Sequence, residues 1–301
     1  MFYRVGLPMI FVFLWSSAFV TAKVAVDYAT PFTLLLLRYA VVALLFGLMM
    51  MIAAAWHRRK MRAETVSSND SWRTILATAL VGVMLHGAYL GSVFLALDLG
   101  VPAGLAALIV STQPLLSSFA AIFLFKEPLR FIQWAGIILG FFGVSVVLLP
   151  TIDGSYLLAG LGVTFFGLLA ITSGTLMQKK FGNTIGLLKG NFIQAVAAVA
   201  FFMIFVPLLE VPSIDWQLPF ILAMSWQILA VSLGAYMIFM VLIKRDSMAV
   251  TSSLLFLVPP TTAIMAALWF GEVLTPLSMA GFALASTGVY LVTRYSSPAT
   301  P

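Results

Sequence analysis

The chain has 301 residues, of which 62% are hydrophobic and only 9% are charged. Its mean hydropathy of +1.10 excludes an ordinary soluble globular protein and predicts an integral membrane protein. The absence of cysteine excludes disulfides, thiolate metal sites and cysteine nucleophiles. A net charge of +6 would suit a nucleic-acid-binding protein, but the positions of the basic residues argue against that class.

Ten apolar stretches are long enough to cross a membrane, since a helix needs about 20 residues to do so. They are predicted near 5–26, 31–55, 72–97, 101–125, 130–149, 156–179, 184–207, 219–243, 248–270 and 275–293. The first stretch is interpreted as a span and not as a secretory signal, because it is too long and lacks a cleavage site. Little of the chain is left over, so we expect no soluble catalytic domain, and residues 296–301 are predicted to form a disordered tail.

Basic residues mark alternate boundaries of these spans. Thirteen of the sixteen lie there: Arg4, Arg58, Arg59, Lys60, Arg62, Arg73, Lys126, Arg130, Lys179, Lys180, Lys244, Arg245 and Arg294. Short loops rich in Lys and Arg stay in the cytoplasm, so both termini are predicted to be cytoplasmic. The cluster at 57–62 is better explained by this topology and by anionic lipid headgroups than by nucleic acid.

The first span carries Trp15, Phe19 and Lys23 on one helical stripe, at i, i+4 and i+8. This stripe is a candidate lining of a substrate cavity. Core or lipid contact is the alternative for the two rings, and the lysine would then extend outward to the headgroups.

Arg38 and Lys189 are lone cations in spans two and seven, at matching places in the two halves of the chain. Charges inside a bilayer are costly and mark functional sites more often than packing. We expect each to approach the midplane from its own side and to attract an anionic or zwitterionic solute, with Asn191 and Gln194 adding polar lining. Extension of either cation to a headgroup, and hydrogen bonding between helices by the amides, are the alternatives.

His86 lies near the middle of span three, with Tyr89 one turn further on the same face. Substrate contact, proton coupling and a purely structural role all remain open for this histidine. Tyr236, at comparable depth in span eight, is a weaker candidate for substrate contact.

Pro114 and Pro259 lie near the middles of spans four and nine, where each removes a backbone donor and frees a carbonyl at Val110 or Leu255. Each proline is a candidate hinge, and a static kink is the alternative. Something polar must satisfy the freed carbonyls. The candidates are Ser111, Thr112, Gln113, Thr261 and Thr262, of which Gln113 is also expected to contact substrate.

An internal repeat becomes visible at an offset of 145 residues. It pairs Pro114 with Pro259, Glu127 with Glu272, Leu129 with Leu274, Gly136 with Gly281 and Gly143 with Gly288. The unit is five spans, residues 1–150 and 151–295, and an odd number of spans inverts the second copy. The small residues of spans five and ten suggest close packing or dimerisation, so a monomer and a homodimer remain open, and the two glutamates are expected to cap helices.

Four short sequence motifs are distributed over both halves of the chain. They are Leu14–Lys23 (LWSSAFVTAK), Leu37–Tyr39 (LRY), Pro102–Pro114 (PAGLAALIVSTQP), and Phe125–Leu129 (FKEPL) with its echo Phe270–Leu274 (FGEVL). In these motifs the chain resembles the EamA-type branch of the drug/metabolite transporter superfamily over nearly its whole length. The resemblance implies an all-α membrane protein of ten transmembrane helices in two inverted EamA repeats, located in a bacterial inner membrane. The second repeat has Phe166 and Gly174 where the first has Trp15 and Lys23.

None of the ten acidic residues lies in the middle of a span, which disfavours drug efflux that exchanges protons at a buried carboxylate. We therefore expect a secondary transporter that exports amino acids or related small metabolites, without cofactor or metal. Efflux of organic anions or toxic compounds by the same fold is the alternative. An intramembrane enzyme is disfavoured because two histidines would have to supply all its chemistry, and a non-transporting scaffold is disfavoured by the polar residues inside the spans.

Overall fold

A computed structural model describes residues 6–60, 71–125, 130–148, 155–181, 185–238, 257–271 and 273–294. Over these ranges the chain is all-α, as predicted. The helices are α1 (Leu7–Val26), α2 (Pro31–Lys60), α3 (Trp72–Asp98), α4 (Ala103–Val110), α5 (Gln113–Phe125), α6 (Phe131–Leu148), α7 (Ser155–Phe181), α8 (Leu187–Leu209), α9 (Leu218–Ile238), α10 (Val258–Phe270) and α11 (Pro276–Arg294).

Six of the helices in the described ranges, namely α1, α2, α3, α7, α8 and α9, are long and apolar enough to cross a membrane. Four further apolar stretches are shorter: 103–117, 131–146, 258–270 and 276–291. This composition of helices identifies a multi-pass membrane protein. Glu127, Glu272 and Leu255, to which capping or carbonyl roles were assigned, lie outside the described residues.

Helices α2 and α8 form an antiparallel pair through the core. The ring of Tyr39 stacks 6.2 Å from that of Phe202, centroid to centroid. Further along, Gly47 leaves room for the ring of Phe192, which would lie 3.3 Å from a Cβ at that glycine. The side chains on this seam belong to one large buried cluster that also includes residues of α1, α3, α4, α7, α9, α10 and α11.

Two loops meet where α2 begins and α8 ends. Residues 27–30 of one loop contact residues 210–217 of the other, and together they form what we call the loop bridge. Ala29 and Ile214 form an antiparallel bridge, the Thr30 N–H donates to the Ser213 carbonyl at 3.1 Å, and the Asp215 N–H donates to the Tyr28 carbonyl at 2.7 Å. The carboxylate of Glu210 accepts from the N–H groups of Phe32 and Thr33, at 3.1 and 2.6 Å. A distant carboxylate therefore caps the first turn of α2.

Helices α6 and α11 pack along their small-residue faces, within one molecule. A Cβ at Gly143 would meet the backbone of Gly281 and Ala285, and a Cβ at Gly288 would meet the backbone of Gly136 and Gly140. The glycines therefore allow two helix backbones to touch. Of the two explanations offered for these small-residue faces, close packing and dimerisation, this contact is close packing within one molecule.

The prolines lie at helix starts, which differs from the mid-span kinks that the sequence suggested. Span four is broken at Ser111 and Thr112, and Pro114 lies in the first turn of α5. Pro259 lies in the first turn of α10. A first turn has no intrahelical acceptor for its N–H groups, so proline costs nothing there. The Ser111 and Thr112 hydroxyls donate to the carbonyls of Ala107 and Ile109, at 2.7 and 2.6 Å.

Two long helices contain π-helical segments that the sequence did not reveal. They are Val83–Ala88 in α3 and Trp226–Ala235 in α9. A shift of 145 residues places the first segment inside the second. Segments of this kind widen the helix locally and occur frequently at functional sites.

Candidate functional site

Arg38 lies on α2 with only 4% of its surface exposed. Its Nε and Nη2 atoms donate to the Ser232 hydroxyl, at 3.2 and 3.0 Å, and its guanidinium carbon lies 5.7 Å from the centre of the Tyr39 ring. Ser232 belongs to the π-helical segment of α9. Among the residues that the structure describes, no carboxylate forms a salt bridge with Arg38. The cation is thus buried against neutral partners, which leaves its charge largely uncompensated.

A chain of hydrogen bonds begins at the neighbouring residue. The Tyr39 hydroxyl lies 2.9 Å from Nδ1 of His86, and Nε2 of His86 lies 3.3 Å from Oε1 of Gln194. Nε2 of Gln194 donates to Oε1 of Gln178 at 3.0 Å. Because Oε1 of Gln194 can only accept, His86 donates from Nε2, and a neutral imidazole then accepts the tyrosine proton at Nδ1. The arrangement holds a neutral histidine with both ring nitrogens engaged.

These six residues form a central polar cluster: Arg38, Tyr39, His86, Gln178, Gln194 and Ser232. Tyr89, with 7% of its surface exposed, interacts electrostatically with Arg38, and Tyr236 interacts in the same way with Tyr39. The structure therefore brings five predicted site residues to one region, and they come from four helices: α2, α3, α8 and α9. The aromatic rings of Tyr39, His86 and Phe202 provide the apolar surface beside it.

Gln227 extends the cluster toward α1. Its Nε2 donates to the Ala18 carbonyl at 2.7 Å and to the Thr21 hydroxyl at 2.8 Å. Its backbone carbonyl accepts from the Ser232 hydroxyl at 3.0 Å, so one serine links Arg38 to this residue. Tyr39, Gln178, Gln227 and Ser232 were missed by the sequence analysis. The two glutamines carried a usable signal, since each is a long amide inside an apolar stretch.

The aromatic stripe of α1 makes other contacts. Trp15 packs against Phe11 with ring centroids 5.3 Å apart, and Phe19 is buried in the main core. Nζ of Lys23 lies 4.9 Å from the centre of the Phe270 ring, near the ends of α1 and α10. The face of α1 that meets the central polar cluster is instead the one with Ala18 and Thr21.

The second predicted cation lies far from the first. Phe192 faces Gly47, and Lys189 is three residues before Phe192 on α8, while Arg38 is nine residues before Gly47 on the antiparallel α2. At 1.5 Å per residue the two cations are about 18 Å apart along the helix axes. The structure therefore does not place the two cations side by side.

Two predicted amides are engaged within their own helices. Nδ2 of Asn191 donates to the Leu187 carbonyl at 2.8 Å, and Nε2 of Gln113 donates to the Ser117 hydroxyl at 2.7 Å. A small cavity lies beside the break in span four, lined by Ser111, Thr112 and Pro259 among others. Over the described ranges, no group of three or more His, Asp or Glu side chains could hold a metal ion.

Comparison with known proteins gives a family match over both halves of the chain. The EamA-like transporter family matches residues 5–149 and again residues 156–294. Together the two matches cover nearly all of the sequence.

Several curated relatives are similar over most of their length. "Uncharacterized transporter YvbV" of Bacillus subtilis is 26% identical, over 95% of this chain and 90% of its own. "Probable amino-acid metabolite efflux pump" of Salmonella typhimurium is 25% identical, over 95% and 93%. "Uncharacterized inner membrane transporter YedA" of Escherichia coli is 26% identical, over 76% and 75%.

A solved crystal structure shares the fold with a TM-score of 0.64. It covers 96% of both chains at 19% sequence identity, so the likeness concerns the fold alone.

Proposed function

Because the chain belongs to the EamA-like transporter family, and is thus a drug/metabolite transporter and not an enzyme, we propose that it exports amino acids or related zwitterionic metabolites. The relative from Salmonella typhimurium that is named an amino-acid metabolite efflux pump supports this substrate class. We place the protein in a bacterial inner membrane with both termini in the cytoplasm, as the alternation of basic loops favours.

The observation that carries the proposal is the environment of Arg38. A guanidinium with 4% exposure, bonded to a serine hydroxyl and to no described carboxylate, lacks a counter-ion. Its planar fork matches a carboxylate group, and such bidentate pairs are strong in a low-dielectric site. A substrate carboxylate would therefore gain two charge-assisted hydrogen bonds while replacing only those to Ser232.

The rest of the cluster suits the remaining parts of an amphipathic substrate. Tyr89 lies close enough to interact with the cation, Tyr236 interacts with Tyr39, and the rings of Tyr39 and Phe202 offer an apolar surface. His86 serves as a hydrogen-bonding support that orients Tyr39. Proton coupling through His86 is a second role for the same residue.

The fold that performs transport is proposed to be ten spans in two inverted five-helix repeats. The glycine contacts support this. Moving Gly143 forward by the 145-residue offset gives Gly288, and moving Gly281 back by it gives Gly136, so the contact between the first helix pair recurs with the two helices exchanged. The paired π-helical segments of α3 and α9 obey the same offset. Such pseudo-symmetry is typical of transporters that work by alternating access.

Pro114 and Pro259 are candidate hinges in this cycle. The break before Pro114 separates α4 from α5, so a change of backbone angles there would move one half of a span without stretching helical hydrogen bonds. The described hydrogen bonds of Gln113 and Asn191 and the ring contact of Lys23 are with residues outside the central polar cluster, and for these three and Lys189 a substrate role stays a prediction.

Transport by purified protein in liposomes tests the proposal. Vesicles loaded with labelled L-leucine should lose it faster when they contain the protein, and Arg38→Ala should reduce the excess rate at least about tenfold, in line with loss of one charge-assisted pair. Arg73→Ala is the matched control, since Arg73 is exposed at the start of α3. Efflux of a quaternary amine without efflux of leucine or an organic anion would refute the proposal.

Efflux of organic anions by the same site is the second candidate function, because Arg38 would bind any carboxylate. A comparison of leucine with its 2-hydroxy analogue separates the two candidates. Equal Arg38-dependent rates would favour a general organic-anion exporter.

A further inference from the structure

Gln227 has an acceptor that is buried without a partner. None of its surface is exposed, and its Oε1 atom has no hydrogen-bond partner among the described residues. Buried amide oxygens in proteins are nearly always bonded, so each exception calls for an explanation. A missing ligand is one such explanation.

The orientation of this amide is not interchangeable. Nε2 lies 2.7 Å from the Ala18 carbonyl, which can only accept a hydrogen bond. A flipped amide would place two acceptors against each other. Oε1 is therefore held as an acceptor by α1, and only a donor can satisfy it.

The residue that carries this acceptor is linked to Arg38. Ser232 accepts from the guanidinium and donates to the backbone carbonyl of Gln227. Ser232 thus lies between the guanidinium and the backbone of Gln227, whose side-chain amide is held against α1. A cationic donor for a carboxylate and an acceptor for an N–H group thus belong to two residues that one side chain links, as a zwitterion requires.

We propose that Oε1 of Gln227 accepts a hydrogen bond from the ammonium group of an amino acid whose carboxylate is bound by Arg38. This inference rests on the proposed function and names the substrate as an amino acid with a free amino group and an apolar side chain. A neutral oxygen holds an ammonium group by a charge–dipole contact, without the desolvation of a buried carboxylate. The substrate can therefore leave without breaking a salt bridge at this end.

The consequence is discrimination against analogues without an N–H donor. A site built to hydrogen-bond a group rejects the analogue that lacks it, because the acceptor is then left unpaired in a buried place. The 2-hydroxy analogue keeps a weaker donor, and a trimethylated amino group keeps the charge but has no donor at all.

The test measures Arg38-dependent efflux of three compounds from liposomes: L-leucine, 2-hydroxyisocaproate and N,N,N-trimethyl-L-leucine. Wild type should transport leucine at least about tenfold faster than the trimethylated compound, which a charge effect alone would not produce. In Gln227→Met, which removes the acceptor, this ratio should fall toward about one. Thr21→Val is the matched control, because it weakens the anchor of Nε2 and leaves Oε1 in place.

The outcomes separate this inference from the proposed function. Arg38-dependent leucine efflux with equal rates for the trimethylated compound overturns the role of Gln227 and leaves the exporter intact. If Gln227→Met still transports leucine faster than the trimethylated compound by the same ratio, the site selects by size and not by hydrogen bonding. That result also overturns the role of Gln227. No Arg38-dependent efflux of leucine overturns both. If the Met variant does not fold, equal rates for leucine and the trimethylated compound in wild type still overturn the role of Gln227.

Discussion

At the scale of single residues, the central question is what a buried cation does among neutral partners. Arg38 and Ser232 are 194 positions apart in sequence, yet the serine is the group that holds both donors of the guanidinium. Ser232 is a small polar residue in an apolar stretch, and nothing in the local pattern marks it. The identity of the cation was predictable from sequence, whereas its partners were not.

Substitution of Arg38 by lysine tests the geometry as distinct from the charge. An ammonium group keeps the charge but loses the planar fork, so we expect Arg38→Lys to lower leucine efflux at least about tenfold. Lys189→Ala should change it less than about threefold, because that cation lies about 18 Å away along the helix axes. Initial efflux rates from liposomes measure both. Equal losses of efflux in the two variants would indicate that Arg38 and Lys189 both bind substrate, as the sequence suggested.

His86 gives a second prediction at this scale. His86→Leu would remove the partner of the Tyr39 hydroxyl and of the Gln194 amide oxygen, which costs about 1–3 kcal/mol for each buried group. We expect a lower unfolding temperature in detergent and a large loss of efflux. His86→Gln, which retains a donor and an acceptor, should recover part of both. An unchanged melting temperature in His86→Leu would contradict the hydrogen-bond chain.

At the scale of helices, the apolar stretches predicted most of the helices, but they did not predict the break and the π-helical segments within them. The break at Ser111 and Thr112 is stabilised by the hydroxyls of these two residues, whereas side chains from other helices bond to the π-helical segments of α3 and α9. One example is Trp226, whose Nε1 donates to the Ser17 hydroxyl of α1 at 2.8 Å. Hydropathy registers the length of a span and carries no information about its hydrogen-bond register.

The pairing of α6 with α11 yields a prediction about stability. Gly143→Leu would place a side chain into the backbone of Gly281 and Ala285, so we expect a loss of about 2 kcal/mol or more and a lower unfolding temperature. Gly162→Leu on α7 is the control, since a Cβ there meets nothing within 4 Å. Thermal unfolding in detergent compares them. Equal melting temperatures would mean that the two backbones do not touch.

At the scale of the whole molecule, the loop bridge joins segments near residues 29 and 214, and we propose that it lies on the outer side. An alternating-access cycle requires this side to open. The protein has no cysteine, so a disulfide can be introduced without a background thiol. Ala29 and Ile214 form an antiparallel bridge pair, whose Cα spacing suits a disulfide.

Oxidation of Ala29→Cys/Ile214→Cys should therefore reduce leucine efflux at least about tenfold, since a lid that cannot open prevents product release. A reductant should restore the rate. Each single-cysteine variant, treated with the same oxidant, is the control. Full efflux by the cross-linked protein would show that the two loops stay together throughout the cycle.

The sequence by itself determined the all-α membrane class, the family and the identity of the buried cation, because hydropathy, span length and local motifs are properties of short segments. Only the tertiary structure decided that Arg38 meets Ser232, that Oε1 of Gln227 is unpaired among the described residues, and that Lys189 lies about 18 Å from Arg38 along the helix axes. Those facts depend on contacts between residues that are far apart in the chain, such as Ser232 with Arg38 and Gln227 with Ala18. Which face of a helix meets which neighbour is settled by packing, and packing is a property of the assembled molecule.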